Sequence, residues 1–307
     1  MQRRQATLKE KLSEHYRKRD FKAKKQTAST AGVVFFLCML VTLVLEALVV
    51  LLPRNFTSED GSVTSGYRLA QLLCVWLFVE TAVNWYNTYY DVSNRVTKEM
   101  KAAHYPTTSE TPPGWKNCPL CMLDAPPRSH HCSLCNYCIL KRDHHCFVTA
   151  SCVGYHNQRT FVVFCIYTLI STAWAAHLQF YYLSEELPIS IYWASFYFPL
   201  AGLWQYLVGA VSFLNFFILI HLCCTLVSLG LVLFFLFWQV VIISRGQTSY
   251  EAWKQVSIYR RRAVLDNFRD VLGDLPSLLL CLVVPLRLPM SLDGIKWTIE
   301  PKAEKGH

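Results

Sequence analysis

From Leu187 to Ser244 the chain runs for 58 residues without an Asp, Glu, Lys or Arg. Stretches of about 20 apolar residues cross a hydrocarbon core of about 30 Å, so a run this long constrains the fold more than any other feature of the sequence. Three further apolar runs precede it: Ala31–Leu52, which holds Glu46; Leu69–Tyr90, which holds Glu80, Asn84 and Asn87; and Phe161–Leu183. Across all 307 residues the hydrophobic set reaches 53% and charged residues only 17%, against about 25% charged in soluble domains. That balance excludes a disordered chain, a coiled coil and a purely soluble enzyme.

The uncharged run admits one crossing or two. Ile191–Ser212 and Phe213–Ile243 would give five spans in total. Charge placement decides between the counts. Residues 1–25 hold ten Lys and Arg against Glu10, Glu14 and Asp20. Arg245, Lys254 and Arg260–Arg262 follow the last span, and the region after the second span is basic as well. The other two loops carry Glu59, Asp60, Glu185 and Glu186. Positive residues mark the cytoplasmic side, so both termini and the region after the second span are expected there. Only an even number of crossings allows that. The expected fold is an all-α polytopic membrane protein with four transmembrane helices. Its fourth span lies within about Asn215–Ile243, and Tyr192–Phe198, broken by Pro199 and Gly202, is an interfacial or re-entrant segment on the luminal side.

The domain boundaries follow. Residues 1–30 form a basic cytoplasmic arm, 31–90 the first two spans, and 91–160 a cytoplasmic linker and cysteine-rich region. Residues 161–244 hold the last two spans, and 245–307 a cytoplasmic C-terminal region. Leu275–Pro289 is apolar, but its prolines and Arg287 point to docking against membrane or helices rather than a crossing. The polar first 30 residues before a full-length span predict no cleaved signal. No internal repeat is apparent. Glu46, Glu80, Asn84 and His177 lie at membrane depth, where polar groups serve either function or interhelical hydrogen bonding.

Seven of the 13 cysteines and five of the ten histidines fall between Cys118 and His156. Thiols alternating with His in a basic segment suit metal and a reducing compartment better than disulfides. Each Cys-x-x-Cys turn offers two thiolates, and tetrahedral zinc takes four Cys or His ligands. Two zincs need eight. Cys118, Cys121, Cys132, Cys135, Cys138 and Cys152 with two histidines supply them, leaving Cys146 over. Asp143, His144 and Cys146 then offer a carboxylate, a base and a nucleophile within four residues. On spacing alone, Cys146 as one more ligand in a structural zinc module stands equally open.

The stretch Arg128-x-x-His131-Cys132-x-x-Cys135-x-x-Cys138-x4-Asp143-His144-His145-Cys146, continuing through Cys152-Val153-Gly154-x-x-Asn157-x-x-x-Phe161, closely resembles the cysteine-rich domain of DHHC-type protein S-acyltransferases. Thr248-Ser249-Tyr250-Glu251 is similar to that family's Thr-Thr-x-Glu motif, and Asn267–Gly273 to its C-terminal Asn-containing motif. Arg142 and Gly246-Gln247-Thr248 resemble most the divergent twenty-fourth-type branch. The resemblance implies one zinc on Cys118, Cys121, His131 and Cys138 and a second on Cys132, Cys135, His145 and Cys152. It makes Asp143 and His144 the activators of Cys146, and places the Ser249 hydroxyl close to Asp143, with Thr248, Glu251 and Asn267 in support.

The activity implied is transfer of a palmitoyl or other long-chain acyl group from acyl-CoA, through a Cys146 thioester, to cysteines of membrane-associated substrate proteins. Lys141, Arg142 and Arg159 are available for CoA phosphates, and a cavity between the four spans would house the tail. The partners expected are acyl-CoA, such proteins and the bilayer, with no nucleic acid; the location expected is the ER or Golgi. Phe147-Val148 stand where the family has Pro-Trp, Ala150-Ser151 replace its paired Asn, and Asp91-Val92-Ser93 replaces its Asp-Pro-Gly. These departures leave a catalytically weak adaptor of the same fold, or a membrane-anchored zinc interaction module, as the alternative.

Overall fold

The computed structural model describes residues 8–58, 61–108, 110–187, 198–290, 292–297 and 299, with side chains from residue 21 onward. The aromatic segment up to residue 197, Glu59, Asp60 and the first seven residues lie outside the described residues.

Four helices are long and apolar enough to cross a membrane: Phe21–Phe56, Gly66–Tyr89, Gln158–Glu186 and Phe213–Ser244. Three of them enclose the apolar runs read from sequence, and the second covers all of its run but Tyr90. Each extends beyond its run, because flanking polar residues such as Lys22, Gln158 and Arg159 continue a helix once the apolar stretch has nucleated it. The first comprises α1 (Leu8–Glu46), a π turn (Ala47–Leu51) and α2 (Leu52–Phe56). Pro53 in the first turn of α2 has no N–H and crowds the carbonyl four residues back. The wide turn, closed from Leu52 N–H to the Ala47 carbonyl, accommodates it and keeps the helix running. The second span is α3 (Gly66–Tyr89); α4 (Lys98–His104) follows it, and α5 (Gln158–Glu186) is the third span. Next come α6 (Pro199–Leu207) and the fourth span, α7 (Phe213–Ser244). With nine residues, α6 is about 13 Å long at 1.5 Å per residue, too short to cross. The chain is a multi-pass membrane protein with four spans.

The helices join through apolar packing and through polar groups that satisfy one another at depth. Leu51, Leu52, Leu183, Ile218 and Leu219 are buried in the largest cluster. Gln179 Nε2 donates to Glu46 Oε1 at 3.1 Å, His221 Nδ1 pairs with Glu46 Oε2, and Thr42 Oγ1 lies 2.9 Å from His221 Nε2. This network ties α1, α5 and α7. Asn84 bonds Glu80 one turn away on α3 at 3.2 Å, whereas His177 is exposed.

Between α4 and α5 lie three antiparallel hairpins: β1 (Lys116–Cys118) with β2 (Leu123–Ala125), β3 (His130–Cys132) with β4 (Tyr137–Ile139), and β5 (His144–Cys146) with β6 (Ser151–Val153). Their registers match at a fixed offset. Cys118 pairs Leu123, Cys132 pairs Tyr137, and Cys146 pairs Ser151. The three cysteines stand 14 residues apart. The expectation of no internal repeat is thus wrong: the region is a three-hairpin repeat, hidden because its ligand positions hold different residue types. After α7 come α8 (Ser249–Trp253), α9 (Val264–Leu272) and α10 (Leu275–Val283). Leu282 packs with Leu77, Val163 and Tyr167, so the apolar C-terminal run docks on the spans as expected.

Candidate active site and metal centres

The repeat explains how the cysteines are sorted. In each hairpin the turn begins at the cysteine closing the first strand, and the residue four on has positive φ: Met122 at 49°, Asn136 at 64° and Ala150 at 45°. The first two turns each hold a Cys-x-x-Cys pair. A second ligand pair comes from directly opposed residues of the next hairpin, His131 with Cys138 and His145 with Cys152. Two Cys3His clusters result, Cys118/Cys121/His131/Cys138 and Cys132/Cys135/His145/Cys152, with all ligand atoms of each within 4.8 Å of one another.

Zinc–sulfur bonds of about 2.3 Å in a tetrahedron require ligand separations near 3.8 Å. Cys121 and Cys138 Sγ are 3.7 Å apart, Cys135 and Cys152 Sγ 3.6 Å, and Cys135 Sγ lies 3.3 Å from His145 Nδ1. Both clusters therefore fit zinc in number, chemistry and size. Ser29 Oγ on α1 lies 3.2 Å from the other nitrogen of His145, an orienting contact that no local sequence pattern marks.

The pattern stops at both ends. Hairpin one has no preceding turn to complete, and its opposed pair is Asn117 and Asp124, which bond each other at 3.0 Å. The third turn carries Cys146 and Thr149 in the two thiol positions and has α5, not a fourth hairpin, after it. Side chains alternate between the faces of a strand, so His144 and Cys146 point away from the His145 metal ligand. Cys146 accordingly packs with Trp85, Val153, Phe161, Phe164, Cys165 and Val232 at the apolar base of the bundle. Its turn places Ala150 in the left-handed region, which costs an L-residue about 1–2 kcal/mol.

Asp143 is buried, and three donors converge on its carboxylate. His144 Nδ1 and Gln239 Nε2 each reach Oδ2 at 2.8 Å, and the Ser249 backbone N–H reaches Oδ1 at 2.5 Å. The Ser249 hydroxyl is engaged elsewhere, accepting from Trp238 Nε1 at 2.8 Å, so this residue meets Asp143 through its amide. Burial alone would raise the Asp143 pKa, but the His144 bond and charge, then Ser249 and Gln239, hold it at about 2. Burial likewise opposes the His144 cation, yet Asp143 and the nearby Cys146 thiol hold its pKa up at about 10. For Cys146, burial is outweighed by the imidazole and by Thr149, and the thiol is pulled below its ordinary value. With Nδ1 occupied, His144 Nε2 has no hydrogen-bond partner among the described residues and is the nitrogen left for the thiol proton.

Gln239 Oε1 accepts from Gln158 Nε2 at 3.0 Å, and Gln158 Oε1 from Lys141 Nζ at 3.1 Å. Neither glutamine stands out in the sequence: Gln239 is one of two side-chain amides, with Asn215, in the apolar α7, and Gln158 stands at the start of α5. Lys141 is buried, its pKa pushed down to about 7 first by that burial and then by Arg128. It faces inward and is not an open phosphate ligand.

The supporting motif locks the C-terminal segment onto the hairpins. Thr248 and Glu251 form a reciprocal cap of α8. Glu251 also accepts two bonds from Arg128, both of 2.7 Å, in an ion pair whose side chains are 3% and 4% exposed. Asn267 Nδ2 donates to the Ser244 carbonyl at 3.2 Å, and its Oδ1 accepts from Arg261 N–H at 2.9 Å, fixing the corner after α7. Among the spans, a cavity of about 60 Å³ lies between the first three helices, lined by Leu43, Ala47, Cys74, Ser171 and Trp174 among others. A water needs about 10–15 Å³ on this measure, so an acyl tail could enter only if the apolar side chains around Cys146 and this cavity moved.

Residues 112–256 match the family model described as DHHC palmitoyltransferase. Over 141 residues the chain is 33% identical to palmitoyltransferase ZDHHC22 of Rattus norvegicus, a match covering 43% of this chain and 50% of that protein. The chain thus spans about half the length of this curated relative, and the relative's type number does not bear on the branch that Arg142 resembles. The matched segment contains both metal clusters, the Asp143–His144–Cys146 run and the Thr248–Glu251 cap, so the site described above is the part of the chain that is similar to the DHHC palmitoyltransferase family.

Proposed function

We propose that this chain is a protein S-acyltransferase that carries a long-chain acyl group on Cys146. The observation that supports it most is the third hairpin turn. Its Cys146 lies outside both metal clusters, beside an imidazole fixed by Asp143 and against the apolar base of the spans.

In the reaction, His144 Nε2 takes the Cys146 proton. The thiolate attacks the acyl-CoA carbonyl, the bond from carbonyl carbon to CoA sulfur breaks, and the imidazolium returns a proton to the departing CoA thiolate. In the second half, His144 takes the proton of a substrate cysteine. That sulfur attacks the acyl carbon, and Cys146 leaves as thiolate and is reprotonated. One thioester replaces another, so no further energy source enters. Asp143 keeps the His144 tautomer and stabilises its cation. Cys118, Cys121, His131 and Cys138 would hold one zinc and Cys132, Cys135, His145 and Cys152 the other. Bound zinc supplies cross-links between hairpins, not a catalytic Lewis acid, because all four positions in each cluster come from protein.

The basic flanks support a cytoplasmic placement of the hairpins and both termini, with ER or Golgi as the compartment and cysteine-containing membrane-associated proteins as acceptors. Purified full-length protein incubated with palmitoyl-CoA is expected to gain a hydroxylamine-sensitive palmitoyl adduct, absent in Cys146→Ser. A folded, zinc-replete preparation that gains no adduct would overturn the enzyme reading in favour of an adaptor.

A further inference from the structure

A second cavity, of about 180 Å³, opens between the start of α5 and the chain that follows α10, lined by Asp91, His156, Arg159, Arg287 and Met290 among others. Arg159 is 4% exposed, yet its Nε and Nη1 have no hydrogen-bond partner among the described residues. Its remaining nitrogen, Nη2, reaches only the Met290 sulfur, at 3.2 Å. The position is built to hold a guanidinium. Gly273, at φ 81°, lies so close that a Cβ there would stand 2.6 Å from Nη2. Unsatisfied donors on a buried charge are costly, and Arg159, with two nitrogens lacking partners among the described residues, is one of the residues that line the cavity.

The local charge favours an anion. Arg159 sits in the first turn of the 29-residue α5, where the helix dipole adds positive potential. Arg287, its side chain 44% exposed, stands 3.6 Å from Asp91. The Asp91 carboxylate is further engaged by Ser93 and Asn94. Two acids thus stand near the two arginines, but Asp91 is held by these other donors and Asp274, whose pKa Arg159 helps to lower, makes no hydrogen bond to Arg159.

Position identifies the source of the anion. In a helix each residue turns by 100°, so Arg159 and Phe161 point to nearly opposite sides of α5. Phe161, Phe164 and Cys165 pack around Cys146. Val162 packs instead with Val271 of α9, and Val163 with Leu282 of α10, on the side that Arg159 shares. The cavity therefore does not face the reacting thiol. Asp91, which lines it, follows directly on the end of α3, where Tyr86, Tyr89 and Tyr90 are exposed, residues typical of the membrane interface. Leu286 lines it, and exposed Leu275, Leu279, Leu280 and Val283 lie on the α10 segment that leads to it, an apolar surface for acyl chains. We propose that Arg159 and Arg287 bind the phosphate of an anionic phospholipid from the leaflet on the hairpin side.

The test is binding of dioctanoyl phosphatidic acid to the purified full-length protein in detergent, read by native mass spectrometry and thermal shift. Dioctanoyl phosphatidylcholine, inorganic phosphate and coenzyme A are run as comparators. Saturable binding of phosphatidic acid is expected, stronger than that of each comparator. It should weaken about tenfold or more in Arg159→Gln, as expected for lost charge-assisted hydrogen bonds, and measurably in Arg287→Gln. Zinc content reports the folding of both variants, and the exposed position of Arg287 keeps the second variant informative if the first does not fold. Undiminished binding in a folded Arg159→Gln would overturn the site. Equal binding of inorganic phosphate, or displacement by coenzyme A at matching concentration, would overturn the lipid as its source.

Discussion

Asp143 holds its neighbour by saturation: with two donors on one oxygen and a third on the other, its carboxylate can hardly rotate, and His144 Nδ1 has a fixed partner. Replacing the imidazole removes the charge that pulls the Cys146 thiol down. In His144→Ala, the inflection in the pH profile of Cys146 alkylation by iodoacetamide should move upward, because burial is then opposed by Thr149 alone. Acylation should slow by about 10²–10⁴-fold, the usual range for losing a general base. An unmoved inflection would remove His144 from the proposed role. The Asp143–His144–Cys146 run was legible because its members adjoin in sequence. Gln239 was not: it lies 96 residues from the carboxylate it touches, and nothing local marks a glutamine as a donor to a distant acid. Ser249 does approach Asp143, but through its amide, since a motif fixes which residue approaches and not which of its groups makes the bond.

Among the elements, helices and hairpins were legible to different degrees. A span announces itself through about 20 consecutive apolar residues, and bilayer thickness does the rest. Its ends were less legible, because dipole and capping preferences at the interface extend a helix past its last apolar residue. The hairpins are three residues per strand, below any periodicity that could be read, and their turns depend on positive φ at Met122 and Ala150, residue types that give no turn signal. What fixes them is ligand placement. Each metal cluster borrows a turn from one hairpin and an opposed pair from the next, which leads to a specific dependence. Cys121→Ser should lower bound zinc from two per chain to one, measured by metal analysis of the purified protein, and should weaken retention of the second ion against a chelator because hairpin two serves both. Two zincs per chain in that variant would refute the ligand set.

For the whole molecule, the even number of crossings and the C-terminal lock give the same account. Arg128 and Glu251, 123 residues apart, form a buried ion pair, so the segment after the fourth span lies against the hairpins that precede the third. Removing one partner of such a pair costs about 3–5 kcal/mol, enough to detach the amide of Ser249 from Asp143. A cysteine introduced at exposed Ser257 should be labelled by a membrane-impermeant maleimide only from the cytoplasmic side of sealed vesicles, and one at Ser58 only from the lumen. Labelling of both from one side would exclude four crossings. The charge asymmetry of the loops made this arrangement readable from sequence, whereas the Arg128–Glu251 pair required the fold.

The 14-residue spacing of Cys118, Cys132 and Cys146 carries a further consequence. A lattice of alternating donors and acceptors must end somewhere, and its terminal members are left uncompleted. At the leading edge the vacancy is closed by an amide and a carboxylate bonding each other; at the trailing edge it leaves a thiol that no ion sequesters. On the function proposed above, reactivity is a boundary effect of a repeating scaffold: one more hairpin of the same kind after Val153 would bring a His and Cys pair toward Cys146, with Thr149 where the other turns hold a second thiol.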